Sequence, residues 1–287
     1  MGKIGVIGGS ALYDIEGLEV VKREKVTTPF GSPSDDAVIG KMGNKEIVFI
    51  PRHGRGHGLL PTQVNSRANI YALKVLGVDR VISVSAVGSL KEHISPLDVL
   101  LVDQFVDRTN QSRPTTFFGD GIVAHIAFAD PICLELKNTI LKSNSSLGVK
   151  IHDGGTYINM EGPAFSTKAE SRLYKSWGMD VIGMTNMSEA RLAREAGMCY
   201  STMAMITDYD CWRLGEGIES VSVEMVMETL TNNMETAKTM LLNTIKNMPE
   251  KRSCECGEAL RNAIITDKKA IPAEIFEKLK PIIDGVI

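Results

Sequence analysis

The sequence predicts a single α/β domain with a mixed, twisted β-sheet flanked by helices, and three observations support that prediction. Short apolar runs alternate with amphipathic stretches along the 287 residues, as in chains whose strands alternate with helices. Several runs are apolar throughout, which is typical of strands buried on both faces. No internal repeat and no low-complexity linker divides the chain. We therefore expect one domain over residues 1–287, with a C-terminal extension from about residue 250.

Six apolar runs are predicted to be strands, and most of them end in a polar cluster. The runs lie at residues 4–7, 47–50, 81–84, 99–102, 181–182 and 200–206. In open α/β sheets, ligands bind beyond the carboxyl ends of the strands. We therefore expect the functional site to be built from residues that directly follow these runs.

Helix starts are predicted from N-cap residues, whose side chains accept a hydrogen bond from the first backbone N–H groups of a helix. The predicted caps are Thr62, in a helix ended by Gly77; Thr167 and Asn186, each with a glutamate three residues later (Glu170 and Glu189); and Ser222. A glutamate at that spacing completes a capping box. Apolar residues recur at helical spacing from Val223 to Ile245, so the last helix is predicted to be the longest. Residues 248–258 are polar and loop-like, and a short C-terminal helical segment follows them.

Composition and charge indicate a soluble globular protein and argue against nucleic-acid and membrane partners. Hydrophobic residues make up 43% of the chain, which suits a large core. A net charge of −3 with scattered basic residues creates no field that attracts nucleic acid. No stretch is apolar enough to span a bilayer, and the glycine-rich N-terminus does not fit a signal peptide. The five cysteines lack the spacing of a secreted framework, so we expect reduced thiols and a cytoplasmic location.

No metal site is expected from the spacing of the histidines and cysteines. His53 and His57 are four residues apart, as in a helical zinc pair, but glycines at 54, 56 and 58 disfavour a helix there. Cys254 and Cys256 form a lone pair with no second cysteine pair, so structural zinc is not predicted. Two inert thiols are the favoured interpretation, with a strained local disulfide or a redox pair as the alternative.

The loop Pro51-Arg-His-Gly-Arg-Gly-His57 follows the run at 47–50 and is the most informative stretch of the sequence. Glycine lets backbone N–H groups approach a ligand closely, and arginine offers a planar fork of donors that suits an oxyanion. The loop is therefore predicted to bind phosphate. Hydroxyl-bearing turns follow three other runs, at 8–10, 85–89 and 184–185, although a plain tight turn is the simpler interpretation of Gly-Gly-Ser alone.

Asp208 and Asp210 lie just beyond the apolar run at 200–206. In an extended chain, residues i and i+2 point the same way, so both carboxylates are expected to face one ligand. A solvated acidic turn or a helix cap explains the same pattern equally well, and both interpretations stay open at this point.

Taken together, these clusters resemble the nucleoside phosphorylase family of the trimeric purine type, over nearly the whole chain. The matching stretches lie at 7–10, 28–34, 52–57, 61–69, 85–89, 103–109, 161–165, 183–185 and 207–212. Their order and spacing support the resemblance more than any single stretch does. The chain departs from the family pattern at Ser10 and Ser85, where threonine is frequent, at Gly183, where some relatives have asparagine, and at Ala164.

The resemblance implies that inorganic phosphate attacks the anomeric carbon of a ribose and that a purine leaves through an oxocarbenium-like state. Phosphate is then a co-substrate, and no cofactor is expected. The implied phosphate-binding residues are Ser10, Arg52, His53, Ser85, the backbone of Ala86, and Thr185. The resemblance also implies a homotrimer, or a hexamer of two trimers, in which a neighbouring subunit closes part of the site.

The implied substrate is an adenine nucleoside with a 5′-methylthio group, whose cleavage belongs to purine and methionine salvage. Met184 would lie along the ribose, and Phe165 would pack near the sugar or the base. Val226 would line an apolar pocket for the methylthio group, while Ser166 and Val223 occupy positions that set specificity in the family.

The acid pair acquires a role from the same resemblance. Asp208 is expected to donate a proton to purine N7 as the general acid, and Asp210 to accept a hydrogen bond from the 6-amino group; the two roles are exchangeable. A buried carboxyl beside a second carboxylate is expected to have a raised pKa, which keeps it available as an acid.

Two alternatives stay open. A purine nucleoside phosphorylase for adenosine, inosine or guanosine would use the same phosphate loop, but a carboxylate facing O6 of a 6-oxopurine is repulsive. A catalytically silent purine-binding regulator would have lost Arg52, His53 or the acid pair, and the sequence retains all of them.

Overall fold

A computed structural model of the chain describes residues 2–110, 113–213 and 222–287, except for the side chains of Ser10 and Ala11. Within these ranges one mixed sheet is flanked by six α-helices, which confirms the predicted α/β fold. The strands are β1 (Lys3–Gly8), β2 (Glu19–Glu24), β3 (Ala37–Met42), β4 (Lys45–Pro51), β5 (Val78–Ser89), β6 (Val99–Leu101), β7 (Gln104–Arg108), β8 (Ile151–Asp153), β9 (Thr156–Met160), β10 (Val181–Gly183) and β11 (Cys199–Asp208). The helices are α1 (Ser66–Val75), α2 (Leu134–Ser143), α3 (Lys168–Ser176), α4 (Asn186–Glu195), α5 (Val223–Asn247) and α6 (Ala273–Ile283).

All six predicted strands are present, as β1, β4, β5, β6, β10 and β11. The described ranges contain five more, β2, β3, β7, β8 and β9, which the sequence did not reveal. β2 and β7 lie at the two ends of the main strand order and carry exposed charged residues, so their hydrophobic pattern is weak. β8 has only three residues, too few to show any periodicity.

Two of the four predicted helix starts are correct. Thr167 and Glu170 form the predicted capping box at the start of α3. Ser222 caps α5, the longest helix, and its hydroxyl accepts a hydrogen bond from the backbone N–H of Met225 at 3.2 Å. In both cases the bonds are local, which is why a sequence pattern is sufficient to predict them.

The other two starts are wrong. α1 begins after Asn65 and not after Thr62, because the residues before Asn65 form a separate turn and Asn65 Oδ1 accepts from the N–H of Ala68 at 3.1 Å. Gly77, with a φ of 85°, follows the end of this helix as predicted. At α4, Thr185 occupies the cap position without a side-chain cap bond.

The central strand β5 has a gap in one of its edges. Along that edge β1 pairs in parallel with residues 78–83, and β10 pairs antiparallel with residues 88–89. β11 occupies the opposite edge as a parallel partner over residues 80–88. Residues 84–87 therefore have no strand partner on the first edge. Buried backbone groups need hydrogen-bond partners, so this gap is a place for a ligand.

β11 is buried along its whole length and packs against α5. Its last residue, Asp208, is only 9% exposed and lies at the carboxyl end of the sheet, beside the gap in β5. None of the helices in the described part of the chain combines the length and the apolar surface that crossing a bilayer requires.

Glu195, the last residue of α4, gives the fold a predicted pH dependence. Its carboxylate accepts hydrogen bonds from the Thr116 hydroxyl and the Phe117 N–H, both at 2.7 Å, yet burial raises its pKa from 4.5 to about 7. The folded state therefore holds this proton more tightly than the unfolded state, and the associated stability is lost as pH rises from about 4.5 to 7.

We expect Glu195→Gln, which cannot ionise, to remove that loss. The wild-type free energy of unfolding is predicted to fall by up to about 3 kcal/mol more than that of the variant between pH 5 and pH 8. Urea denaturation of both proteins across this range measures the difference, and two parallel pH curves would contradict the prediction.

Candidate active site

A cavity of about 460 Å³ opens at the gap in the edge of β5, at the carboxyl ends of the strands. The loop after β4, the ends of β5 and β11, the residues around β10 and one face of α5 form its walls. Twelve of the predicted site residues line it: Arg52, His53, Ser85, Ala86, Phe165, Ser166, Met184, Thr185, Asp208, Asp210, Val223 and Val226. The side chain of the thirteenth, Ser10, lies outside the described part of the chain, although Gly8 and Gly9 beside it line the cavity.

Arg52 is not the free guanidinium that the sequence suggested. Its Nε donates to Glu189 Oε1 at 2.6 Å, and its Nη2 donates to Glu189 Oε2 at 3.2 Å and to Ser83 Oγ at 2.6 Å. Nη1 donates to the carbonyl of Val84 at 2.8 Å, which leaves at most one N–H, on Nη1, for a ligand. Burial alone would lower the pKa of Arg52, but the charge of Glu189 raises it, so the guanidinium stays charged.

Glu189 is the centre of a buried polar network beneath the cavity. Besides Arg52, its Oε2 accepts from the hydroxyls of Ser83 and Tyr200, each at 2.9 Å. Asn186 donates from Nδ2 to the Ser83 hydroxyl at 2.8 Å and to the Tyr200 hydroxyl at 3.0 Å. The prediction that Asn186 and Glu189 form a capping box is therefore wrong: their side chains leave the helix end and bind β5 and β11.

His53, which the resemblance assigns to phosphate binding, presents an acceptor to the cavity. Its Nδ1 lies 2.8 Å from the carbonyl of Leu59, and because a carbonyl only accepts, Nδ1 carries the hydrogen. Burial and the charge of Arg52 lower the pKa of His53 to about 4, so the ring is neutral near pH 7 and Nε2 has a free lone pair. The ring of His57 stacks on it at a centroid distance of 4.3 Å.

Gly183 is required by a neighbouring tyrosine that sequence reasoning missed. A Cβ at position 183 would lie 2.0 Å from the hydroxyl oxygen of Tyr157, so the tyrosine occupies the space of any side chain there. Tyr157 is fully buried, its hydroxyl has no hydrogen-bond partner within the described residues, and burial raises its pKa to about 12. A neutral hydroxyl therefore lies directly beneath this wall of the cavity.

The acid pair is buried but not extended. Asp208 ends β11, and Asp210 has a φ of 48°, so the chain turns sharply between them, contrary to the extended geometry assumed from the sequence. Both side chains nevertheless line the cavity. Asp208 accepts from the Thr207 hydroxyl and from the N–H of Asp210, each at 2.7 Å. Gly88 lets the pair approach β5, since a Cβ there would lie 2.9 Å from Asp208 Oδ1.

Both carboxyls hold protons more tightly than carboxyls in water. Burial raises the pKa of Asp208 against the opposing effect of its hydrogen bonds. Burial also raises the pKa of Asp210, and the charge of Asp208 adds to that shift. One oxygen of Asp210, Oδ2, is buried without a hydrogen-bond partner in the described ranges. Such a pair can hold a proton in reserve and place it on a ligand.

One face of α5 forms an apolar wall opposite the phosphate loop. Five apolar residues of this helix line the cavity besides Val223: Val226, Met227, Leu230, Met234 and Ala237. Asn233, which is 1% exposed, interrupts the wall: its Nδ2 donates to the carbonyl of Ile206 at 2.9 Å, and its Oδ1 has no partner in the described part of the chain. An acceptor is therefore available for a ligand at this point.

Glu189 and Asn233 are functional candidates that sequence reasoning missed or misassigned. Asn233 carries a signal in retrospect, because it is a polar residue on a helix face that is otherwise apolar. Glu189 carries a different one, because it lies three residues after Asn186 and both are buried polar residues of α4. A polar residue in such a position is buried and must find a partner, which makes it a marker of a network or a ligand site.

Comparisons with known proteins agree with this geometry. The model of the phosphorylase superfamily matches residues 3–246. An S-methyl-5′-thioadenosine phosphorylase from Geobacter sulfurreducens is 55% identical over 284 residues, which cover 99% of each chain. A methylthioadenosine phosphorylase from an antarctic soil metagenomic library superimposes with a TM-score of 0.92 at 42% identity, covering 98% of both chains. Methylthioadenosine phosphorylase from Schistosoma mansoni, in complex with adenine, superimposes with a TM-score of 0.85 at 34% identity. The match covers 94% of this chain and all of that chain.

Breaking the Arg52–Glu189 pair is predicted to destabilise the fold strongly. Glu189→Gln leaves a buried guanidinium without its counter-charge, and we expect the free energy of unfolding to fall by about 3–5 kcal/mol. The control is Asp35→Asn, which breaks the ion pair with Arg55, a side chain that is 54% exposed. Solvent screens that pair, so a far smaller change is expected. Equal losses in urea denaturation of the two variants would contradict the prediction.

Proposed function

The chain belongs to the phosphorylase superfamily, and from that membership and the geometry of the cavity we propose that it cleaves S-methyl-5′-thioadenosine with inorganic phosphate. The products are adenine and 5-methylthioribose 1-phosphate. One observation carries the proposal: groups suited to an anion and a buried carboxyl pair suited to adenine line the same cavity. Phosphate itself is the nucleophile, so catalysis needs positioning and electrostatics, with no covalent bond to the protein.

Phosphate is held mainly by dipoles. The side chains of Ser85 and Thr185 line the cavity, and Thr185 stands at the N-terminus of α4, whose dipole favours an anion. The backbone of Ala86 lies in the unpaired stretch of β5 and supplies a further N–H. His53 Nε2 accepts from the hydroxyl of monoprotonated phosphate, while the remaining N–H of Arg52 donates to an unprotonated oxygen. In this arrangement each group makes its own hydrogen bond with phosphate.

The acid pair binds and protonates the leaving base. The pair is suited to share one proton, because burial raises the pKa of both carboxyls and the charge of Asp208 adds to the shift of Asp210. That proton passes to N7 as the glycosidic bond breaks, and the carboxylate oxygen that remains accepts from the 6-amino group. We keep Asp208 as the group that serves N7 and Asp210 as the group that serves the amino group. Transfer to N7 removes the negative charge that would otherwise build up on the purine.

The sugar lies between these two ends of the cavity. Met184 and Phe165 flank it, and the apolar face of α5 around Val226 receives the methylthio group, which needs no hydrogen-bond partner. Ser166 and Val223 line the same cavity, and the family resemblance assigns them to the setting of specificity. The resemblance assigns Ser10 to phosphate binding, although its side chain lies outside the described part of the chain.

Exposed apolar residues that line the cavity favour an oligomer. Phe165, Val223 and Met227 line the cavity and are respectively 45%, 66% and 54% exposed in the single chain. Apolar side chains exposed together in this way mark a contact surface. We propose a homotrimer, or a hexamer of two trimers, in a reducing cytoplasm; the mass in sedimentation equilibrium distinguishes these from a monomer.

The reaction is tested by incubating the protein with S-methyl-5′-thioadenosine with and without inorganic phosphate. We expect adenine and one equivalent of 5-methylthioribose 1-phosphate only when phosphate is present. Adenine release at the same rate without phosphate would show a hydrolase and overturn the proposal.

Substrate choice is predicted to follow from the two ends of the nucleoside. We expect kcat/KM to be highest for the methylthio nucleoside and lower for adenosine by a factor of up to about 10², because an apolar pocket rejects a hydroxyl only weakly. Inosine is expected to be the poorest of the three, since the carboxylate oxygen would face its O6. A preference for inosine would contradict the assignment of the acid pair to adenine.

Asp208→Asn is predicted to lower kcat by about 10²-fold or more, because the amide cannot supply the proton. In the wild type kcat should fall as pH rises through the raised pKa of the pair, since only the protonated pair is active. The pH profile of the variant should lack this descending limb. The control is Asp98→Asn, an acid paired with His152 outside the cavity wall, which should keep the wild-type profile. A descending limb unchanged in Asp208→Asn would remove Asp208 from the role.

A further inference from the structure

Four of the five cysteines converge at a point remote from the cavity. Their Sγ atoms all lie within 4.8 Å of one another, and those of Cys199 and Cys254 are 3.3 Å apart. Cys133 precedes α2, Cys199 begins β11, and Cys254 and Cys256 belong to the segment that follows α5. β11 has ten residues from Cys199 to Asp208, and its nine steps of about 3.3 Å place the cluster and the acid pair about 30 Å apart.

The sequence predicts no structural zinc because it shows Cys254 and Cys256 as a lone pair. The fold supplies a second pair, Cys133 and Cys199, so that reason no longer holds. The backbone brings these two together, because the N–H of Cys133 donates to the carbonyl of Tyr200 at 2.9 Å. Cys133 and Cys199 are 66 positions apart in the sequence, so their spacing along the chain could not show this contact.

The surroundings of the cluster favour thiolates. Cys133 stands at the N-terminus of α2, where the helix dipole stabilises a negative charge. Arg80 is the cross-strand neighbour of Cys199, it is 1% exposed, and its Nη2 has no hydrogen-bond partner in the described ranges. Two of the thiols are buried, so a charge formed here needs a local counter-charge.

A second arginine lies on the other side of the cluster. Arg252 donates from Nη1 to the carbonyl of Gly197 at 2.9 Å, two residues before Cys199. The Nε of Arg252 also lies 3.7 Å from Oδ2 of Asp79, and Nη1 of Arg80 lies 3.2 Å from Oδ1 of the same carboxylate. Four thiolates around one divalent cation carry a net charge of −2, and Arg80, Arg252 and Asp79 together offset one unit of it.

We propose that Cys133, Cys199, Cys254 and Cys256 form a structural site for one Zn²⁺ ion. Zinc bound by four thiolates is tetrahedral with bonds of about 2.3 Å, which places the sulfurs about 3.8 Å apart. The distance between the sulfurs of Cys199 and Cys254, 3.3 Å, is below that value and no pair exceeds 4.8 Å, so small side-chain movements complete the tetrahedron. Binding displaces the thiol protons to solvent as four S–Zn bonds form.

The site has a mechanical role. Four protein ligands leave no open position on the metal, so it carries out no chemistry of its own. It fixes the segment after α5, beyond the end of the superfamily match at residue 246, to the start of β11 and to α2. The bond between Ser253 N–H and Glu135 Oε2, at 2.6 Å, holds the same segment in place beside Cys133.

The test uses the full-length protein purified without chelators and with its affinity tag removed. We expect about one zinc per chain by elemental mass spectrometry, and release of that zinc when an organomercurial blocks the thiols. After denaturation in EDTA without a reductant, all five cysteines should react with iodoacetamide. Disulfides among the four cysteines, five free thiols without metal, or iron in place of zinc would each overturn the proposal.

Two variants distinguish a site from adventitious metal. Cys254→Ser should lose most of the bound zinc and lower the melting temperature, whereas Cys211→Ser, which changes the fifth cysteine outside the cluster, should retain both. If Cys254→Ser does not fold, the metal-free wild type is titrated with Co²⁺. One equivalent should then give the intense absorption of thiolate-to-cobalt charge transfer, and its absence would overturn the proposal.

Discussion

The buried ion pair between Arg52 and Glu189 is the interaction on which the site depends. Arg52 follows β4 and binds the carbonyl of Val84 in β5, while Glu189 lies in α4 and binds Tyr200 in β11. One pair of charges thus ties three strands and a helix together at the carboxyl end of the sheet. Neither charge is tolerable without the other in so dry a place, so these elements cannot separate without a large cost.

The Arg52–Glu189 pair also sets the net charge of the proposed anion site. Because Glu189 neutralises Arg52, the cradle offers phosphate little net positive charge and relies on hydroxyls, a helix N-terminus and one unpaired stretch of β5. Such dipoles are fixed by the fold and need no reorganisation during the reaction. The neutral ring of His53 fits the same proposal, since its Nε2 can accept a hydrogen bond from a phosphate hydroxyl without adding charge.

At the other end of the cavity, burial acts in the opposite way. Asp208 and Asp210 have raised pKa values because water is excluded from them, and the close approach allowed by Gly88 keeps them beneath the wall of β5. An acid with a raised pKa is useful only if it meets a base, and both carboxyls line the cavity proposed to bind a purine. The proposed phosphate end and the proposed base end of the cavity therefore both lie beside the gap in the edge of β5.

The sequence determined the strands that are apolar throughout, the helix caps that are satisfied locally, and the list of polar residues that follow strand ends. All of these depend on neighbours within a few residues, as at Thr167 and Ser222. Only the tertiary structure decided what Asn186 and Glu189 bind, which nitrogen of His53 is free, and that Asp210 turns away from an extended path. It alone brought Cys133 and Cys199 to Cys254 and Cys256. The physical reason is the same in each case: a buried polar group takes whichever partner the packing of distant segments places within reach, and that partner is invisible along the chain.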